Sequence, residues 1–308
     1  MSFQNLREFI ALLEKQGELK RIKAPISRDL EIAEVTDRVS KSSSGNVALL
    51  FENVQGFDTP VLTNAFGSIK RMAWAMGVEN LDEPGQRLGK LLAVESVGTQ
   101  KGLVDRVKQL GQALELVRFG PHLVKKAPCQ EVVITDNPSL STLPILKCWP
   151  QDGGRFITLP LVITRDPVTG HRNVGTYRLQ VFDDQTTGMH WHLHKGAAQH
   201  YRASQQEGRP LEVAVALGAE PAFTYAATAP LPPDLDEVLL AGWLARRKID
   251  MVKAVTVDLE VPAQAEIVLE GYVDPQERRL EGPFGDHTGF YSLPDLYPVF
   301  HLTAITHR

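Results

Sequence analysis

The chain has 308 residues, 43% hydrophobic and 23% charged, with Lys plus Arg at 33 and Asp plus Glu at 37. That length suits two domains, and a formal charge of −4 gives no electrostatic reason to expect a nucleic-acid partner. No apolar run is long enough for a transmembrane helix, the stretch Met1 to Glu8 lacks the pattern of a secretory signal, and only Cys129 and Cys148 are present.

Phe3, Leu6, Ile10 and Leu13 recur at helical spacing and Gly17 suits an exit, so residues 3–16 are expected to form an amphipathic helix. Ser27 is a candidate N-cap for a second helix carrying Leu30, Ile32, Val35 and Val39. Strands are expected at 47–53 and 59–65, and helices at 68–77 and 85–94, which makes residues 1–120 an N-terminal α/β domain. Lys125, Lys126 and Pro128 fall at the boundary. Strand-like runs then follow at 156–165, 172–182, 187–194, 211–217, 222–227, 252–259, 265–273 and 297–305. Their spacing argues for an antiparallel barrel or sandwich over residues 121–308, interrupted by helices near 196–206 and 236–247. The expected class is α+β. Residues His301 to Arg308 read as a strand still running, the pattern of a chain cut before a further domain. With so few cysteines the expected location is the cytoplasm with reduced thiols, although one disulfide between the two is also compatible.

Four constellations could carry chemistry. His190, His192 and His194 stand at i, i+2 and i+4, so on a strand they would share a face able to bind a divalent metal; a half-exposed polar strand face is the plain alternative. Lys195 and Gly196 then open a helix, where free N–H groups favour a phosphate. Thr176 and Arg178 share a face if 172–182 is one strand, and an arginine pointing inward would need a carboxylate from the protein or a substrate; an arginine on the solvent face is the commoner arrangement. Glu281 and Asp286 flank a Gly-Pro-Phe-Gly loop that could aim both acids at one point and raise one pKa for proton transfer, with His287 as a second proton carrier; a polar turn with two solvated acids is the alternative. Asp234 or Asp236 would cap an apolar helix whose dipole Glu237 favours.

Taken together, LREFIALLEKQGELKRI, NVALLFENVQGF, APCQEVV, LPILKCWPQDGG, NVGTYR, VALGAEPA, AEIVLEGY and EGPFGDHTGFY resemble the UbiD family of 3-polyprenyl-4-hydroxybenzoate decarboxylases along essentially the whole chain. The resemblance implies an N-terminal α/β domain followed by a flavin-binding split β-barrel. It implies prenylated FMN, a divalent metal (Mn²⁺ or Mg²⁺) and, in many members, K⁺. By the same resemblance Asn173, His194 and Glu237 match metal ligands, and Thr176, Tyr177, Arg178, His190, Trp191, His192, Lys195, Gly196, Asn173 and Glu237 match cofactor-binding positions. Arg178, Glu281 and Asp286 match the catalytic Arg-acid-acid set, with Asp286 favoured as proton donor. The stretch MHWHLHKGAAQ is richer in histidine than the ubiquinone branch, and family members continue past the equivalent of Arg308 into a C-terminal domain.

The implied reaction is reversible, non-oxidative decarboxylation of an aromatic or α,β-unsaturated acid. The implied partners are that acid, a prenyl-flavin synthase that supplies the cofactor, and further copies of the chain in a homo-oligomer. A prenylated substrate would bring the protein into peripheral contact with a membrane. Two other classes stay open: an inactive flavin- and metal-binding fragment, and a metal-dependent hydrolase that uses the histidines and Asp286 without flavin.

Overall fold

The computed structural model describes residues 2–86, 118–192, 196–231 and 235–308. The first helix, α1 (Leu6–Lys15), starts where the Asn5 side chain accepts the Glu8 N–H at 2.9 Å, and it buries Phe9 and Leu13. Strands β1 (Leu19–Ile22), β2 (Ala48–Phe51) and β3 (Val61–Thr63) form a sheet in that order, with β1 parallel and β3 antiparallel to the buried β2. Helices α2 (Glu31–Ser40) and α3 (Ile69–Ala75) complete this part, and α3 carries the fully buried Arg71. That cation is matched by Glu18 at 2.9 Å and by oxygens of Asn46 and Asn64, as a buried guanidinium must be.

Two sequence expectations change here. Strand β1 was not expected, because Lys20 and Arg21 stand side by side without alternation and the segment becomes a strand only by pairing with β2. Ser27 does not cap α2: the helix begins after Leu30, whose φ is 68°, while Ser27 Oγ accepts the Asp29 N–H and Glu31 reaches back to the Ser27 N–H. Past Gln86, the helix expected at 85–94 lies outside the described residues.

The largest sheet among the described residues is antiparallel. It contains β5 (Val132–Ile134), β6 (Phe156–Ile157), β7 (Leu161–Arg165), β8 (Arg172–Gly175), β9 (Leu179–Val181), β10 (Thr186–Met189), β11 (Leu211–Leu217), β14 (Ile267–Glu281) and β15 (Asp295–His307). Its order is β6-β9-β10-β15-β14-β11-β7-β8, with β5 on the far end of β15. Both faces of β11 are covered: Ala214 and Ala216 join one core, Val213 and Val215 the other. Helix α4 (Gly196–Glu207) packs on the Val side, while α5 (Pro221–Ala226) and α6 (Glu237–Ala245) pack on the Ala side. A small third sheet, β13-β12-β4, joins β4 (Pro121–Val124), β12 (Ile249–Lys253) and β13 (Glu260–Pro262).

The α+β class is as expected, with four local differences. Residues 221–226 are helical because Pro221 occupies the first turn, where its missing N–H costs nothing. The run 172–182 breaks at Thr176–Arg178 into β8 and β9. Strand β10 stops at Met189, short of the histidine cluster. The run 252–259 is the end of β12 and a loop to β13. Both cysteines are free thiols, and burial pushes Cys129 up to about 12 and Cys148 to about 11. No described helix is long and apolar enough to cross a membrane.

Candidate active site

The break between β8 and β9 places Arg178. Gly175 permits it: a Cβ there would meet the Tyr177 ring at 2.5 Å. Arg178 Nε donates to Glu281 Oε1 at 2.9 Å and Nη2 to Oε2 at 3.3 Å, and its guanidinium lies 4.7 Å above the Phe284 ring. Nη2 also reaches Ser292 Oγ at 3.1 Å. Arg178 is therefore not a solvent-face arginine, for its side chain is only 13% exposed, and the carboxylate it needs comes from the end of β14.

Glu281 is fully buried and takes a further hydrogen bond from His190 Nδ1 at 2.8 Å. A Cβ on Gly188 would sit 3.2 Å from Glu281 Cγ, so a glycine in β10 leaves room for the acid. Burial alone would raise the Glu281 pKa, but the hydrogen bonds from His190 and Arg178 outweigh it and hold the carboxyl below its usual range. His190 stacks on Tyr297 with centroids 4.3 Å apart, and its Nε2 meets His192 Nε2 at 3.1 Å. Both His190 nitrogens are thus engaged by described residues.

The loop after Glu281 is docked on the turn at 149–154. Gly285 N–H and Trp149 N–H each donate to Asp152 at 2.8 Å, Gly153 N–H donates to Pro283 O at 2.8 Å, and Gly282 N–H to Gln180 Oε1 at 2.6 Å. Any Cβ on Gly153 would lie 2.2 Å from Gly282 O, and one on Gly285 would lie 2.2 Å from the Trp149 ring. The two acids at its ends have different hydrogen-bond partners. Asp286 faces His287, accepting its N–H and Nδ1 at 2.9 Å, with the side chain 38% exposed. Slight burial would raise the Asp286 pKa, but the His287 hydrogen bonds outweigh it and leave the carboxyl below its ordinary value. Neither acid has the raised pKa expected of a shared target: both are held below their usual range, and the Arg178 charge acts on both.

A second cluster gathers the starts of α4 and α6 beside β8. Glu237 accepts the Val174 N–H at 2.9 Å, next to Asn173, and burial pushes its carboxyl up to about 7. Asp236 caps α6 through the Val238 N–H and pairs with Arg172 at 2.6 Å. Asn173 Nδ2 reaches Tyr177 Oη at 3.4 Å, while a Cβ on Gly196 would fall 2.0 Å from Asn173 Oδ1. Two polar atoms at expected cofactor-binding positions, Thr176 Oγ1 and Trp191 Nε1, are buried without a hydrogen-bond partner among the described residues. A half-buried carboxylate that accepts a neutral backbone N–H, and two buried polar atoms without a described partner, fit a metal and a polar ligand. His194 and Lys195 lie outside the described residues.

Sequence reasoning missed Ser292, Tyr297, Asp152 and Gln180. For Asp152 a signal existed, because it sits inside the WPQDGG segment.

Residues 122–308 match the 3-octaprenyl-4-hydroxybenzoate carboxy-lyase Rift-related domain (UbiD), and residues 10–92 match the N-terminal domain of the same carboxy-lyase. The chain belongs to the UbiD family. An uncharacterised protein from Archaeoglobus fulgidus is 52% identical over all of this chain and 62% of its own length. The UbiD-class enzyme HmfF from Pelotomaculum thermopropionicum, an evolved dimeric form in complex with prFMN, is 34% identical with a TM-score of 0.84, over 99% of this chain and 66% of HmfF. The closed form of Sedimentibacter hydroxybenzoicus vanillic acid decarboxylase is 30% identical with a TM-score of 0.86, over 100% of this chain and 63% of that one. The chain spans a little over three-fifths of the length of the curated relatives it matches.

Proposed function

We propose that this UbiD-family protein carries out reversible, non-oxidative decarboxylation of an aromatic or α,β-unsaturated acid with prenylated FMN, the prenylated 4-hydroxybenzoate of ubiquinone biosynthesis or a related aromatic acid being the substrate. The observation that carries the reading is Arg178, locked side-on to a fully buried Glu281 and still offering its other edge to an anion. Support comes from HmfF, a UbiD-class enzyme with prFMN bound.

Asn173, His194 and Glu237 would hold Mn²⁺ or Mg²⁺, since one amide oxygen, one imidazole and one carboxylate form a hard, mixed donor set. Gly196 and Lys195 at the start of α4 would receive the flavin phosphate, and Thr176 and Trp191 would give their unpaired polar atoms to the cofactor. When bound, prenylated FMN supplies the electron sink that loss of CO₂ requires. Arg178 orients the substrate carboxylate, Glu281 and His190 fix Arg178, and Asp286 delivers the proton to the carbon that lost CO₂. The division into residues 1–120 and 121–308 belongs to this reading, supported by the two family matches. So do a cytoplasmic homo-oligomer and supply of the cofactor by a prenyl-flavin synthase.

The test is mass spectrometry of the small molecule bound to protein made beside a prenyl-flavin synthase, with CO₂ release measured on a panel of aromatic acids. A bound mass of prenylated FMN and CO₂ release are expected. Protein that carries metal but no flavin would overturn the reading. Glu237→Gln is expected to lower both metal and flavin content by at least about tenfold, because Glu237 would help hold the metal and the metal's charge would favour the flavin phosphate. Elemental analysis and flavin absorbance of the purified variant check this, and full flavin occupancy would exclude a part for Glu237 in holding the cofactor.

A further inference from the structure

Arg178 presents two edges to anions, and only one is filled. Glu281 occupies the Nε/Nη2 edge at 2.9 and 3.3 Å, and the Phe284 ring covers one face of the guanidinium. On the Nη1/Nη2 edge, the described residues supply one partner, Ser292 Oγ, at 3.1 Å from Nη2. Nη1 has none among them.

Ser292 is constrained in an unusual way. Its hydroxyl accepts a second hydrogen bond, from the Phe284 N–H at 3.2 Å, and its own N–H donates to Phe284 O at 2.9 Å. A serine hydroxyl has two lone pairs and one proton. With both lone pairs engaged, its proton is the only capacity left, and no described residue accepts it. The open edge of Arg178 therefore presents two donors side by side, Nη1–H and the Ser292 O–H. The loop backbone sets the position of Ser292, so the donor is in place before any ligand arrives.

Charge balance shows what this second donor adds. Glu281 already neutralises Arg178, and the Asp286 carboxylate also lies within its field, so an incoming carboxylate meets no free cation. A neutral hydroxyl donor strengthens binding there without adding charge.

We propose that Ser292 is a substrate-binding residue whose hydroxyl, together with Arg178 Nη1, receives the carboxylate of the acid and selects it over uncharged aromatics. The inference rests on the decarboxylase reading above. The test uses the flavin-loaded protein and calorimetric titration with 4-hydroxybenzoate, with phenol as the uncharged control. Ser292→Ala is expected to weaken acid binding by about ten- to hundredfold, the range of one hydrogen bond to a charged group, and to leave phenol unchanged. Ser292→Thr, which keeps the hydroxyl, is expected to restore acid binding. Acid binding by Ser292→Ala equal to that of the unaltered protein overturns the inference alone, as does an equal loss of phenol, which would mean a disturbed loop. An unaltered protein that binds no aromatic acid overturns the decarboxylase reading and this inference with it.

Discussion

Arg178→Ala is expected to remove turnover and to destabilise the fold at the same time. Glu281 is fully buried, and Arg178 gives it two of its three hydrogen bonds. Without the guanidinium the carboxylate keeps only His190. Breaking a buried pair from one side costs about 3–5 kcal/mol, against a total stability of about 5–15 kcal/mol for a typical domain. Turnover should fall by about a thousandfold or more, as when a preorganised donor is removed from other active sites. The pH dependence has a definite sign. In the unaltered protein the folded pKa of Glu281 is lowered, so its stabilising effect is present above the unfolded value and is lost as pH falls through the folded one. In Arg178→Ala the folded pKa rises instead, and protonation relieves the buried charge. The unfolded chains titrate alike, so the stability gap should narrow as pH falls from the raised pKa of the variant, through the ordinary glutamate value of about 4.3, to the lowered pKa of the unaltered protein. Adding Glu281→Gln to Arg178→Ala should recover much of the stability and none of the turnover. Denaturant midpoints across pH, with CO₂ release, measure all of this. A midpoint for Arg178→Ala equal to that of the unaltered protein would show that Arg178 does not compensate the buried acid.

Asp286→Asn should do the opposite: activity lost, fold kept. The side chain is partly exposed and its described polar contacts are to its neighbour His287, so the stability change should stay within about 0.5 kcal/mol. The amide keeps the size and removes the transferable proton, and general-acid catalysis is worth about 10²–10⁴ in rate. In the geometry seen here Asp286 is charged and turned toward His287. Donation requires it to leave His287 for a drier setting, where burial raises its pKa. Flavin content should match the unaltered protein, and deuterium incorporation at the product carbon should fall with turnover. Exchange that survives the substitution would move the donor role to Glu281 or His287.

What the sequence by itself determined is what short-range rules control. Helices α1, α3, α4 and α6 lie close to their expected positions, because periodicity and capping residues such as Asn5 and Asp236 act within a few residues. The sequence also posed the question of Arg178, since an arginine turned inward must meet a carboxylate. Only the tertiary structure decided which one: Glu281, 103 residues further on, brought to Arg178 at the end of β14. The same holds for β1, which is a strand only beside β2, and for Ser292, which matters only because the returning loop sets it against Arg178. Asp286 shows the limit most clearly. Spacing put it five residues from Glu281 and suggested a shared target; in the structure Glu281 bonds Arg178 and His190, Asp286 bonds His287, and Asp152, Gly153 and Gln180 pin the intervening backbone. Those contacts join segments more than a hundred residues apart in the chain, and no local pattern encodes the direction in which such a loop is held.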